Sequence, residues 1–314
     1  MQETLYLFFA ITTSMKNVLV IYYSQSGQLE EIARNIAKPL LNSSDVAVDF
    51  HQIKLRNDFP FPWQKDSFFE AFPESFLQIP TELISPTEEI LDSKYDLIIF
   101  AYQVWFLSPS IPANSFLKSD YGKKLLAITP VVTVNGSRNM WIMAQEKVKT
   151  LLKNANAKLV GNIALVDRAP NLISVITIVK WMFTGEKKKH LGIFPLPGVS
   201  QEDINDASRF GEVILSSLLQ DDLNNLQPKL VKSGAVKVSE YLVKTDKKGN
   251  MIFTKWANLI NKKKESRKGL LKVFYVYLIL AIWIISPIVY ILHLLTYPFT
   301  TKKRKKTIAY YQGV

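Results

Sequence analysis

Between a solid apolar block and a periodic stretch, the chain carries Ser24-Gln25-Ser26-Gly27-Gln28, two hydroxyls and a glycine at the mouth of a predicted helix. A helix N-terminus leaves backbone N–H groups unpaired and carries a partial positive charge, so it attracts anions. Ser24 and Ser26 would add hydroxyl donors there, and Gly27 would let the backbone approach a phosphate closely. The lysine of a P-loop and the three glycines of a dinucleotide fingerprint are absent, so neither of those motifs applies. An ordinary strand-turn-helix with a serine N-cap has the same appearance. The loop alone leaves both readings open.

The elements that must position this loop follow from periodicity. Residues 18–21 predict a short buried strand, and Leu29, Ile32, Ala33, Ile36, Ala37 and Leu40 form one stripe of a helix. Further strands are predicted at 46–53, 96–102, 130–134 and 159–166, the fourth starting near Pro130 because proline opposes a long central strand. Helices are predicted over 141–153 and 202–219. Ser85-Pro86-Thr87-Glu88 reads as a capping box with proline at the first helical position. Strand and helix alternate five times, which predicts a doubly wound five-stranded parallel sheet, complete before residue 220. Ligands of such sheets sit at the carboxyl ends of the strands. The loops placed there are 24–28, 102–112 and 135–139, with Asp167 and Arg168 beside them. Insertions at 54–84 and 170–199 interrupt the pattern. The first carries Phe59, Phe61, Trp63, Phe68, Phe69, Phe72 and Phe76 among prolines, and these rings need something to cover.

Composition narrows the chemistry. The chain has no cysteine, which excludes a thiolate nucleophile, a disulfide framework and a cysteine-ligated cluster. His51, His190 and His293 show no metal-site spacing, and no metal is expected. The net charge of +12 is concentrated in one region. Residues 262–306 hold eleven lysines and arginines against Glu265 alone, so they supply ten of the twelve charges. Residues 273–299 contain no Asp, Glu, Lys or Arg. As continuous helix that stretch would be about 40 Å long, against a hydrocarbon core of ~30 Å. Basic clusters beside greasy sequence point to anionic lipid headgroups rather than to nucleic acid. Pro287 divides the stretch, so either one kinked span or a re-entrant hairpin is expected, with a soluble core helix as the plain alternative. The expected organisation is therefore an N-terminal extension or upstream start at 1–14, a sheet domain at 15–220, a linker with a basic cluster at 221–272, a membrane segment at 273–299 and a basic tail at 300–314.

The residues also carry a resemblance. "YYSQSGQLEEIA" resembles the flavodoxin phosphate loop, "DLIIFAYQVWFLSPSIPANSFL" resembles the flavodoxin loop that flanks the isoalloxazine ring, and "VVTVNGSRN" stands where the third flavin loop belongs. Leu29 departs from the pattern, since the family places a threonine hydroxyl there. The resemblance implies a flavodoxin-like fold holding flavin mononucleotide (FMN) through Ser24, Gln25, Ser26, Gly27, Gln28, Tyr102, Gln103, Val104, Trp105, Phe106, Asn135, Gly136, Ser137 and Asn139. With the aromatic insertion and the greasy basic tail, the chain also resembles the dialkylresorcinol-condensing enzymes of aryl-polyene and flexirubin-type pigment clusters. That implies oxidation of a dialkylcyclohexanedione, supplied by a ketosynthase partner, to the aromatic resorcinol.

Aromatising such a ring removes a hydride and a proton. Arg138 is the candidate fixed cation for an enolate oxygen, and Tyr102 or His190 the candidate proton relay. The stretch "GEKKKHLG" reads equally as a solvated turn. Trp105 and Phe106 could stack on the flavin or fill core, and Asp167 could hold Arg168 in a surface pair. The expected function is a flavin-dependent oxidoreductase acting on a lipophilic substrate. Its expected place is the cytoplasmic face of the inner membrane, anchored by the C-terminal segment. The alternative is a membrane-tethered, non-catalytic electron carrier.

Overall fold

The computed structural model of this chain describes residues 15–297 and 301–314. The expected extension at 1–14 and the last positions of the 273–299 segment lie outside the described residues. Five parallel strands form the sheet: β1 (Lys16–Tyr22), β2 (Val46–Gln52), β3 (Leu97–Trp105), β4 (Pro130–Ser137) and β5 (Lys158–Val166), in the order β2-β1-β3-β4-β5. This is the flavodoxin-like doubly wound order, with its switch point between β1 and β3. Val18 of β1 pairs with Val48 of β2 and with Leu97 of β3, so this inner strand is hydrogen-bonded on both edges. Its residues 18–21 are fully buried, which explains the unbroken β-branched run.

Each sheet face has its own core. The helix Gln28–Leu41 buries all six residues of its predicted stripe against one face, together with the helix Ser208–Leu219. The four larger ones, Leu29, Ile32, Ile36 and Leu40, each contribute about 1.5–3 kcal/mol on burial. The opposite face packs Phe100, Tyr102 and Phe116 beneath the helix Ile142–Asn154.

Three local expectations differ from the structure. The helix near Ser85 spans Glu88–Asp92 with Thr87 at its N-cap and no side-chain cap, so Pro86 lies outside it. The proline-rich insertion is regular after all, with helices Lys65–Glu70 and Phe72–Phe76. Residues 221–272 are not a linker. They form the helices Leu226–Lys232 and Glu240–Lys262, whose Leu226, Leu230 and Val243 enter the main core while Ala257 and Ile260 enter an aromatic cluster. Frequent lysines hide that stripe in the sequence, but Val243, Phe253, Ala257 and Ile260 still recur at helical spacing.

That aromatic cluster answers what the first insertion covers. Phe69, Phe72 and Phe76 pack on Phe253 and on Phe274 of the C-terminal helix. The C-terminal apolar segment is one helical run, Lys264–Thr296, long and apolar enough to cross a membrane. It holds no reversal: Arg267–Leu280 passes through a π-helical stretch, Ala281–Ile285, into Ser286–Thr296. A π turn directly before Pro287 accommodates a residue that has no N–H to donate.

Candidate functional site

A cavity of about 450 Å³ opens at the carboxyl ends of the strands. Its floor is Gln25 and Ser26 from the first loop, Gln103 to Phe106 at the end of β3, and Gly136 to Arg138 at the end of β4. Its walls come from both insertions, through Trp63, Phe68, Ile178 and Trp181, and from Leu278, Ile282 and Trp283 of the apolar C-terminal run. The lining is mainly apolar, with a few polar groups gathered chiefly at the strand ends, the usual balance of a site for a small organic ligand.

The first loop is shaped as an anion cradle. Gly27 adopts φ 83° at the start of its helix, a conformation that strains L side chains, and a Cβ there would meet no atom within 4 Å. The N-cap is Gly27 and no side chain among the described residues caps the first helical turn, which removes the serine N-cap reading. The Ser24 hydroxyl is buried and has no hydrogen-bond partner among the described residues. A buried hydroxyl without a partner costs about 1–3 kcal/mol unless a ligand satisfies it.

Both glutamines of the loop act as struts. The Gln25 amide donates to the Pro60 carbonyl at 2.8 Å and accepts from the Trp63 indole at 3.0 Å. Gln28 accepts from the Val199 N–H at 3.0 Å and donates to the Val199 carbonyl at 3.1 Å. Thus each insertion is fastened to the phosphate-loop candidate by one side chain. Neither role shows in the sequence, because the partners lie 35 and 171 positions away.

The β3 loop turns tightly. Val104 and Trp105 pair with Pro109 and Ser108, so Phe106 and Leu107 occupy the bend with φ 48° and 60°. Two bulky residues in left-handed conformations cost roughly 1–2 kcal/mol each. Phe106 is held there between Phe68 and Phe72, with ring centroids 4.7 and 5.3 Å away. Trp105 sits edge-on to Tyr23, Phe59 and Trp63 and keeps its indole N–H on Gln103 at 3.3 Å.

On the β4 loop, Gly136, Ser137 and Arg138 line the cavity. Asn135 is buried within the sheet, accepting from Ser137 at 3.2 Å. Asn139 donates to the Asn171 side chain at 2.9 Å. The Arg138 guanidinium donates to the same Asn171 oxygen at 2.7 Å. Burial pulls its pKa down to about 10, with the Asp167 carboxylate pulling the other way. It stays cationic at neutral pH. Asp167 does not hold Arg168: it accepts from Ala169 N–H and Ser174, while Arg168 pairs with Asp203.

Six expected residues are not part of the cavity lining: Ser24 and Gly27 lie beside it in the first loop, Asn135 and Asn139 in or next to the third, and Tyr102 and His190 stand elsewhere. Tyr102 is fully buried on the far face of the sheet, donating to Gln145 at 2.7 Å, and burial raises its pKa well above 10. It neither flanks a ligand nor relays a proton. Strand alternation explains the error, since Tyr102 shares a face with Phe100 while Gln103 points to the other. His190 meets Lys180 at 2.8 Å and stacks on Phe194, outside the cavity lining. Among the described residues, the lining holds no histidine or carboxylate, and its cations are Lys65 and Arg138.

No protein-family model matches the chain, and no curated protein does. Solved structures do resemble it. A flavoprotein in complex with FMN from Lactobacillus acidophilus is 18% identical over 48% of this chain and 93% of its own, with a TM-score of 0.38. A flavoprotein from Bacteroides eggerthii is also 18% identical, over 48% of this chain and 87% of its own, again at 0.38. The two-electron reduced flavodoxin of Megasphaera elsdenii is 14% identical over 49% and 89%, at 0.30. Likeness at these levels concerns the fold alone and adds nothing to what the strand order already establishes.

Proposed function

We propose that the chain is an FMN-dependent oxidoreductase of a lipophilic ring compound, associated with a membrane through its apolar C-terminal helix. The observation that carries this reading is the cavity itself, whose floor takes Gln25, Ser26 and Gln28 from the first loop and whose wall is that helix. The residues present fit the cofactor. Ser24, Ser26 and the uncapped helical turn after Gly27 would hold the phosphate, while Leu29 leaves it one hydroxyl fewer than the family pattern. Gln103 to Trp105 and Gly136 to Ser137 would border the ring system from two sides.

When bound, FMN supplies a two-electron hydride acceptor. The protein's own residues would bind and orient the substrate. A cyclic 1,3-dione is acidic, so once bound beside two cations it would lose its proton to solvent and form its enolate in the site, which suits a lining with no base among the described residues. Arg138, fixed by Asn171, is placed to hold the enolate oxygen. Converting the dialkylcyclohexanedione to the dialkylresorcinol removes two hydrogens, one leaving as hydride and one as a proton to solvent. The alkyl chains would lie along the apolar wall, each buried methylene contributing about 0.8 kcal/mol. A ketosynthase is the implied source of the dione, and the cytoplasmic face of the inner membrane the implied location, with anionic lipid beneath the basic clusters.

The test is the absorption spectrum of detergent-purified protein, followed by mixing with a dialkylcyclohexane-1,3-dione without oxygen. Flavin bands that bleach as resorcinol forms are expected. Protein that ignores added FMN would overturn the cofactor. Flavin that stays oxidised with the dione, yet passes electrons to a reductase, would make the chain a carrier.

A further inference from the structure

We infer that the apolar helix lies along one leaflet with both of its ends on the side of the sheet domain, and does not cross the bilayer. This rests on the membrane association proposed above. The start of the run is fixed to the first insertion, where Arg267 donates to the Glu70 carbonyl at 2.8 Å and to the Glu74 carboxylate at 2.7 Å. Its middle forms the cavity wall, and the Tyr241 hydroxyl meets Ser286 at 3.2 Å. Its far end places His293 3.5 Å from the Glu240 carboxylate.

The chain then comes back. In the helix Thr301–Gln312, Tyr310 donates to Glu146 at 3.3 Å, and the Gln312 carbonyl accepts from Gln227 at 2.6 Å. Lys149 donates to the Gly313 carbonyl at 3.3 Å, and Tyr311 is buried in the main core. A helix that crossed would set its two ends on opposite sides of a hydrocarbon core ~30 Å thick. Here the residues before and after it both touch the same body. The helix Glu240–Lys262 also runs beside the apolar one and carries Lys244, Lys247, Lys248 and Lys255. Crossing would draw these toward hydrocarbon, where a lysine at the centre is strongly disfavoured.

The opposite, outward face is apolar and uncovered: Val273, Ile284 and Leu292 are each more than half exposed. Exposed Lys263, Lys264 and Lys268 flank one end, and Lys302, Lys305 and Lys306 the other. An apolar stripe between two cationic ends on one side matches an anionic leaflet, with the stripe in the acyl boundary and the ammoniums at the headgroups. Val179 and Ile279 line the cavity and are also about 40% exposed, so its rim opens toward that leaflet. A lipophilic substrate would enter sideways from the lipid.

The native absence of cysteine makes the test direct. Single-cysteine variants K94C on the sheet domain, K263C and K302C are made in the full chain. Inverted membrane vesicles from cells expressing each are treated with an impermeant maleimide. All three sites should react at about equal rates. Spin labels at V273C, I284C and L292C, in phosphatidylglycerol-containing vesicles, should report one common shallow depth. Protection of K302C while K94C and K263C react, or I284C at the bilayer centre with its neighbours shallower, would overturn the inference. Protein absent from the membrane pellet, with all three spin labels in water, would instead remove the membrane reading and this inference with it.

Discussion

The ring of Phe72 lies flat on that of Phe274, with centroids 3.9 Å apart and planes 9° apart. One belongs to the first insertion and the other to the C-terminal helix, so the sheet domain and the apolar segment share a core. Removing residues 262–314 should therefore not release an intact soluble domain. It would uncover Phe69, Phe72 and Phe76 and take Tyr311 from the main core. The truncated chain should aggregate, and Phe274→Ala in the full chain should lower unfolding free energy by about 3–5 kcal/mol in a denaturant titration. A truncated domain that stays monomeric with unchanged stability would show the shared core to be dispensable.

The phosphate loop separates strain from charge. Gly27→Asn keeps a side chain that tolerates positive φ, whereas Gly27→Asp adds an anion beside the proposed phosphate. FMN affinity, measured by fluorescence quenching, should fall roughly 10–100-fold further for Asp than for Asn. Equal losses would mean that no phosphate sits there.

Ser24→Ala removes a buried hydroxyl with no hydrogen-bond partner among the described residues. Its unfolding free energy without FMN should be unchanged or slightly higher, while FMN binding weakens about tenfold. Loss of stability without FMN would assign the hydroxyl a structural role.

Arg138→Ala should lower turnover more than it weakens substrate binding, since an interaction strongest with the developing charge acts on the transition state. Arg138→Lys should recover only part, because the ammonium lacks the planar fork that engages Asn171. A rise in KM with unchanged kcat would make Arg138 a binding residue only.

Two buried groups give opposite pH slopes. His51 is pulled down to about 4, first by burial and then by Lys54. Between pH 6.5 and 4 the unfolded chain takes up this proton and the folded one does not, so stability falls with acid. Asp246 is pushed up to about 6 by burial, against the N–H groups of Met143 and Ile142 and the charge of Lys147. Between pH 6 and 3.8 the folded state takes up that proton first, so stability rises with acid. His51→Gln should make the chain relatively more stable at pH 4.5 than at 7, compared with the parent, and Asp246→Asn relatively less. Urea titrations at the two pH values check both signs.

The inner strands β1, β3 and β4 were readable because they are short, mostly buried on both faces and therefore largely apolar. Residues 159–166 were expected as strand and 158–166 are strand. The three loops at the strand ends were also readable, since their order follows from the alternation. Tyr102 was misplaced although strand parity puts it with Phe100, a signal present in the sequence and overridden by the loop resemblance. The walls were not readable. Trp63, Trp181 and Trp283 come to one cavity only through long-range packing, and Gln25 and Gln28 look like ligand groups until their partners in the insertions are seen.

The wall built from Leu278, Ile282 and Trp283 has a kinetic consequence under the lipid-facing arrangement. Substrate arriving from a leaflet is counted per unit of surface, so the proposed oxidoreductase activity would follow surface-dilution kinetics. Adding inert phospholipid at constant total substrate would slow turnover, and adding buffer would not.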